Sequence, residues 1–133
     1  MEQKYYLKTS HACDLYSIEV TPFRKNSEKE NYVIFSEKEK NKYEKLVEEV
    51  RTLMQKKWDL YQKEFEENKK YWYLTTRYSS HIRKLALIKE PSTIKEKIST
   101  ETCTYNYFTD KTHAQNLLKE MLILFKAYNV EMF

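Results

Sequence analysis

Four side chains that can bind a metal ion are spread widely along the chain, at His11, Cys13, Cys103 and His113. Thiolates and neutral imidazoles are the usual ligands of Zn²⁺, but structural zinc sites present them in closely spaced pairs of the CxxC type. Only His11 and Cys13 are near enough in sequence to share one face of a strand. The sequence therefore predicts no metal site, and instead two buried thiols and two surface imidazoles.

The residue types that catalysis needs are also scarce. The chain has three histidines, and no nucleophile–His–acid arrangement is identifiable around them. Asp110 is better explained as a favourable negative charge at the start of a helix. The chain contains no glycine, which excludes the P-loop, the GxGxxG fingerprint and the GxSxG elbow, because each needs glycine where the backbone bends sharply or approaches a ligand. We therefore expect a protein that is not an enzyme and that needs no cofactor.

The net positive charge is concentrated in one part of the chain. The whole chain carries +4, from 24 basic and 20 acidic residues. Residues 71–99 hold six basic and two acidic residues, so this stretch alone accounts for the +4 and the remaining residues balance. Clustered Lys and Arg residues attract phosphate groups. The pattern predicts that this stretch contacts nucleic acid, and the alternative is a solvated helix with ordinary surface lysines.

The order of elements here resembles the recognition helix and wing of winged helix-turn-helix proteins. A short helix containing Tyr78-Ser-Ser-His-Ile-Arg-Lys-Leu85 is followed by a polar, strand-like stretch that ends at Phe108. The resemblance implies that the start of this helix faces the major groove of DNA and that lysines in the wing contact phosphates. The family usually turns its wing with glycine, which this chain lacks. The residues predicted to bind nucleic acid are Arg77, Ser79, Ser80, His81, Arg83, Lys84, Lys89, Lys95 and Lys97.

One long amphipathic helix is predicted from Ser36 into the region of Tyr71. Ser36 and Glu39 have the spacing of a capping box, in which the two side chains satisfy free N–H groups of the first turn. A helix of about 35 residues would span about 50 Å, more than the diameter of a small domain. We therefore expect it to kink or to pack against a second subunit, which leaves a homodimer open. Its apolar residues recur at helical spacing, at Tyr43, Val47, Val50, Met54, Trp58, Tyr61 and Phe65.

Short strands are predicted before the long helix. The segment from Lys4 to Phe23 has β character, with apolar residues alternating at Tyr16, Ile18 and Val20. A second strand, Tyr32–Phe35, could pair with this segment as a hairpin.

Two helices and a strand are predicted after the long helix. Tyr78–Glu90 is interpreted as a short helix that Pro91 stops, and Thr102–Phe108 as a strand because its apolar residues alternate. The last helix begins at Thr109-Asp110 and is apolar over more than half of its surface, which predicts a central core helix or an interface helix.

These elements predict a helix-dominated α+β fold in a single domain over residues 1–133, with one long amphipathic helix, two shorter helices and a small antiparallel sheet. Two arrangements are left open. One is the winged-helix-like arrangement. The other is an internal strand–helix repeat, because Tyr32–Lys38 and Tyr105–Lys111 share a strand, a hydroxyl residue, an acid and a lysine in the same order.

The expected surroundings and partners follow from the same composition. No apolar run is long enough to span a membrane and no signal peptide is recognisable, so we expect a cytoplasmic protein with no membrane partner. The composition, rich in Lys, Glu, Tyr and Asn with little Ala and no Gly, resembles that of a low-GC genome, and a small protein of this kind would suit a phage or plasmid. The first hypothesis is a DNA-binding regulator or accessory protein of a mobile element. The alternative is an inhibitor or adaptor that acts by binding a host protein, which the apolar end Val130–Phe133 favours.

Overall fold

The computed structural model describes residues 3–9, 15–23, 34–64, 71–74, 92–94 and 105–128. These residues form a mixed α+β fold with two α-helices, while the third predicted helix, Tyr78–Glu90, lies outside the described residues. The elements in chain order are β1 (Lys4–Thr9), a 3₁₀ turn (Leu15–Ser17), β2 (Ile18–Pro22), β3 (Ile34–Ser36), α1 (Glu37–Tyr61), β4 (Tyr71–Tyr73), β5 (Ser92–Ile94) and α2 (Lys111–Ala127).

The first three strands form an antiparallel sheet with β1 in the centre. Leu7 of β1 is opposite Val20 of β2, and Tyr5 is opposite Phe35 of β3. The strand predicted at Tyr32–Phe35 therefore pairs with the first part of the Lys4–Phe23 segment. Leu7 and Phe35 are both buried against the helices, so the sheet covers one side of the core.

The start of α1 is where the sequence predicts it, but the predicted capping box is wrong. Ser36 occupies the N-cap position with extended backbone, and its side chain makes no capping hydrogen bond. Ser36 is also the last residue of β3, where it is paired with Lys4. Pairing in the sheet, rather than a side-chain cap, therefore sets the direction in which α1 begins.

The long helix ends about ten residues earlier than the spacing of its apolar residues predicts. The helix ends at Tyr61, and Tyr71 belongs to β4 instead. The amides of Gln62 and Lys63 both donate to the Trp58 carbonyl at 2.8 Å, and Lys63 has a φ of 69°. A left-handed residue at this position closes a helix and is usually glycine. In a chain without glycine, lysine takes that place and gives no stop signal in the sequence.

The core lies between the N-terminal sheet and the two helices. From α1 it takes Tyr43, Val47, Val50, Met54 and Trp58, all of which the helical spacing predicts. The last helix is confirmed as a core helix, because Leu117, Met121 and Phe125 of α2 are fully buried. Its N-cap is Asp110, whose carboxylate accepts from the Thr112 amide at 2.8 Å.

The segment before α2 is not a regular strand in its described part. Tyr105 and Asn106 lie in a 3₁₀ turn, and Phe108 makes a single antiparallel bridge to Trp72. The predicted repeat also differs in detail at its two helix starts. The N-cap directly follows Phe35 in the first unit but lies two residues after Phe108 in the second.

Candidate functional site

The structure describes the chain immediately before and after most of the predicted nucleic-acid-binding residues. All nine of those residues lie outside the described residues, in residues 75–91 and 95–100. The chain leaves the described part at Leu74 and returns to it at Ser92. We call residues 75–91 the basic segment, because they hold four basic residues and one acidic residue, namely Arg77, Arg83, Lys84, Lys89 and Glu90.

The two ends of the basic segment are held side by side. β4 and β5 are antiparallel, with Tyr73 opposite Ser92 and Tyr71 opposite Ile94. Directly opposed residues in an antiparallel pair are about 4.5–5.5 Å apart at their Cα atoms. The basic segment therefore begins and ends at neighbouring points of one ladder, which we call the β4–β5 base.

The β4–β5 base is fixed to the core by a set of buried hydrogen bonds. The amide of Trp72 donates to the Phe108 carbonyl at 2.8 Å, and the amide of Phe108 donates back at 3.0 Å. The side chain of Asn106 pairs with the backbone of Leu74, accepting from its amide at 2.9 Å and donating to its carbonyl at 2.7 Å. That carbonyl also accepts from the Leu15 amide at 3.2 Å. The chain that leads into the basic segment is therefore tied to the core up to its last described residue.

The pairing around β4 does not confirm the winged-helix resemblance. A wing is a hairpin whose two strands pair with each other after the recognition helix. Here Trp72 is paired with Thr93 of β5 and also with Phe108. Within the described ranges, β4 thus lies between the two segments that a wing would join.

Two tyrosines that precede the basic segment, Tyr71 and Tyr73, pack against Tyr107. Tyr71 is buried, and its ring meets that of Tyr107 edge to face at 6.1 Å. Tyr73 packs against the same Tyr107 ring at 5.4 Å. Burial commits Tyr71 to the core and leaves it no free face for stacking on a base.

A groove between the two helices is a second candidate surface, with a volume of about 750 Å³. Its rim is polar and charged and consists of Lys45, Glu48, Glu49, Thr52, Lys56 and Glu120. Its apolar lining consists of Leu53, Ile123, Leu124 and Ala127. We call it the helix groove.

Two polar contacts bridge α1 and α2 beside the helix groove. Lys57 Nζ lies 2.6 Å from Glu120 Oε2, and this hydrogen bond raises the pKa of the Lys57 ammonium. Tyr128 donates its hydroxyl proton to Glu49 at 2.6 Å, which raises the pKa of the phenol to about 12. Residue numbers rise along α1 where they fall along α2, so the two helices are antiparallel.

The sequence analysis did not predict the helix groove. It predicted that α2 is apolar over more than half of its surface, which is the signal that such a helix has a second face. It did not single out Ile123, which is 71% exposed next to the partly buried Leu124. The groove itself depends on which faces of two helices meet, and spacing along one helix cannot give that.

A third cluster of polar groups lies where α2 begins. The imidazole of His113 stacks on the Tyr61 ring at 4.3 Å, and its Nε2 lies 3.8 Å from Asp110 Oδ2. Thr109 donates from its amide and its hydroxyl to Gln62 Oε1, at 2.9 and 3.2 Å. These contacts fasten the start of α2 to the end of α1, so they explain the cluster as a helix junction.

No group of three or more His, Cys, Asp or Glu residues that could hold a metal ion occurs among the described residues. His11, Cys13 and Cys103 lie outside them. Neither of the two described α-helices is both long enough and apolar enough to cross a membrane.

No protein-family model matches this chain, and neither a curated protein nor a solved structure shows significant similarity to it.

Proposed function

We propose that this protein is a non-enzymatic nucleic-acid-binding protein, with duplex DNA as the preferred ligand. In this proposal it acts as a regulator or accessory protein of a phage or plasmid. The contact surface is the basic segment together with Lys95 and Lys97, which continue the charge beyond β5.

The observation that carries the proposal is the position of the charge. Residues 71–99 carry the entire net charge of +4, and the rest of the chain balances. Two of the basic residues in this stretch are arginines, Arg77 and Arg83. The planar guanidinium group can contact two phosphate oxygens at once, which makes arginine the better phosphate ligand.

The β4–β5 base supports the proposal in a second way. Because β4 and β5 are paired, the residues on either side of the basic segment are adjacent in the fold. Arg77 and Lys89 therefore belong to a stretch of chain that is attached to the core at one place. The buried Asn106–Leu74 contacts give it a rigid attachment to the core.

The experiment is a gel shift with a double variant and a charge-matched control. Arg83→Ala with Lys84→Ala removes two positive charges from the basic segment, and we expect it to abolish the shift. Lys38→Ala with Lys42→Ala removes the same charge from exposed positions of α1. We expect the control pair to bind like the unmodified protein. Equal losses in both pairs would mean that net charge alone is responsible and would overturn the assignment to the basic segment.

The alternative function is that of an inhibitor or adaptor that binds a host protein. It would become the better interpretation if duplex and single-stranded DNA and RNA all fail to bind at low salt. The charge balance of residues outside 71–99 leaves that alternative without an electrostatic preference for its partner.

A further inference from the structure

The second helix has two apolar faces, and only one of them is covered by the described core. Leu117, Met121 and Phe125 form the buried face. Ile123 and Ala127 lie on the other face, which lines the helix groove. Ile123, which is 71% exposed, and the groove of about 750 Å³ form an apolar surface that no described residue covers. Such surfaces commonly mark interfaces.

The two contacts that bridge the helices show which residues of α1 and α2 lie at the centre of the groove along the helix axes. Lys57 meets Glu120 at one end and Glu49 meets Tyr128 at the other. Each helix advances eight residues between these contacts, in opposite directions. Thr52 and Ile123 both lie near the midpoint, within about 3 Å of the same level at a rise of 1.5 Å per residue.

The charges on α1 are complementary about Thr52. Glu48 lies four residues before Thr52 and Lys56 four residues after it. Lys45 lies seven residues before Thr52 and Asp59 seven residues after it. All four of these side chains are exposed. In each pair, one residue is acidic and the other, at the same distance on the other side of Thr52, is basic. If α1 faces an antiparallel copy of itself centred on Thr52, every one of these charges meets its opposite.

The exposed face of α2 has the same property about Ile123. Three residues on either side lie Glu120 and Lys126. Lys126 is exposed and Glu120 is half-buried beside Lys57. An antiparallel copy of α2 centred on Ile123 would place Glu120 of each copy against Lys126 of the other.

From these observations we infer that the helix groove is the interface of a homodimer. The two-fold axis lies in the interface and crosses α1 and α2 at Thr52 and Ile123. It sets α1 against α1 and α2 against α2, each antiparallel, so that the four helices form a bundle. The apolar lining of each groove covers that of the other, and each charge pair occurs twice by symmetry. This inference does not depend on the proposed function.

The first test is the mass of the full-length protein without nucleic acid, measured by light scattering over a range of concentrations. We expect a particle of twice the chain mass of 16.3 kDa. Ile123→Glu places a charge in the apolar lining, and we expect at least a tenfold rise in the dimer dissociation constant. A monomer at all concentrations up to about 100 μM overturns the inference. The groove would then be covered by another part of this chain or by a different protein.

Charge reversal tests the register and orientation of the two copies. Lys56→Glu sets like charges against Glu48 of the second copy at two symmetric places, so the dimer should weaken. Adding Glu48→Lys to that variant restores opposite charges and should restore the dimer. The two positions are eight residues apart, too far for a direct contact within one helix. Failure of the second change to rescue the first contradicts the proposed axis. Circular dichroism of each variant shows whether it is folded.

Crosslinking locates the axis independently of affinity. In a background of Cys13→Ser and Cys103→Ser, Thr52→Cys should form an intermolecular disulfide readily, because the axis passes beside residue 52. Glu44→Cys is the matched control, since it is also exposed on α1. Two copies of residue 44 would be about 24 Å apart along the helix direction. Equal crosslinking at both positions, or faster crosslinking at position 44, overturns the proposed geometry.

Discussion

Asn106 offers the sharpest test of how the β4–β5 base is held. It is a buried polar residue with no exposed surface, and its amide group closes two hydrogen bonds with the backbone of Leu74. Replacing Asn106 with alanine affects the amide and the carbonyl of Leu74 differently. The Leu74 carbonyl keeps the Leu15 amide as a donor, whereas the Leu74 amide loses its acceptor. We expect Asn106→Ala to destabilise the protein chiefly through this one orphaned donor.

The size of the effect follows from these two bonds. A buried donor without a partner costs about 1–3 kcal/mol, and an ordinary hydrogen bond contributes about 1 kcal/mol net. With a small cavity left by the missing amide, the expected loss in the free energy of unfolding is about 2–4 kcal/mol. That is a large share of the roughly 5–15 kcal/mol that stabilises a typical domain.

Urea unfolding followed by circular dichroism measures this loss, with Asn41→Ala as the control. Asn41 is exposed on α1, so its replacement should change stability by less than about 0.5 kcal/mol. Hydrogen exchange adds a local measurement, because the Leu74 amide should lose protection more than the amides of α1. If Asn106→Ala costs less than about 1 kcal/mol, the argument that Asn106 anchors Leu74 is refuted.

Two further predictions concern the end of α1 and the contact between the helices. Lys63→Gly should stabilise the protein by about 0.5–1 kcal/mol, because the φ of Lys63 is positive. Lys42 lies inside α1, so Lys42→Gly should destabilise the protein by a similar amount. Urea unfolding checks both signs. Tyr128→Phe removes the hydrogen bond to Glu49. Because the pKa of Tyr128 is raised to about 12, this bond stabilises the folded protein below about pH 10, the pKa of a free tyrosine. The stability difference between Tyr128→Phe and the unmodified protein should therefore shrink as the pH rises from 10 towards 12. A difference that is constant over this range would contradict the assigned hydrogen bond.

The amphipathic helices were predictable because their signals are local. The apolar spacing of α1 from Tyr43 to Trp58 matches its buried face, and Asp110 is the residue type that starts a helix. The end of α1 was not predictable, because Lys63 adopts a left-handed conformation that no sequence pattern announces. For that reason, the prediction that the helix continues into the region of Tyr71 was wrong.

The arrangement around β4 was also beyond local patterns. Three residues are too few for an alternating pattern to separate a strand from a helix end. β4 is held instead by partners distant in sequence, namely β5 and Phe108. The Asn106 side chain binds the backbone of Leu74, directly after β4. The predicted strand at Thr102–Phe108 could not reveal this, since a side chain that pairs with backbone leaves no periodic signal.

The two candidate surfaces differ in how much of each can be predicted from the sequence. The concentration of charge in residues 71–99 is a property of the sequence alone. The charge symmetry about Thr52 and Ile123 is equally present in the sequence, but it has meaning only once the helix groove shows which faces of α1 and α2 are uncovered.

The salt dependence of nucleic-acid binding tests the proposed function most directly. Each phosphate neutralised on duplex DNA contributes about −0.9 to the slope of log affinity against log salt concentration. Residues 71–99 contain six basic residues, so the account predicts binding to random duplex DNA with a slope between about −2 and −5. Arg83→Ala alone, which keeps Lys84, should reduce the magnitude of that slope by about one. No binding at about 50 mM salt, or an affinity that does not change with salt, would contradict the account.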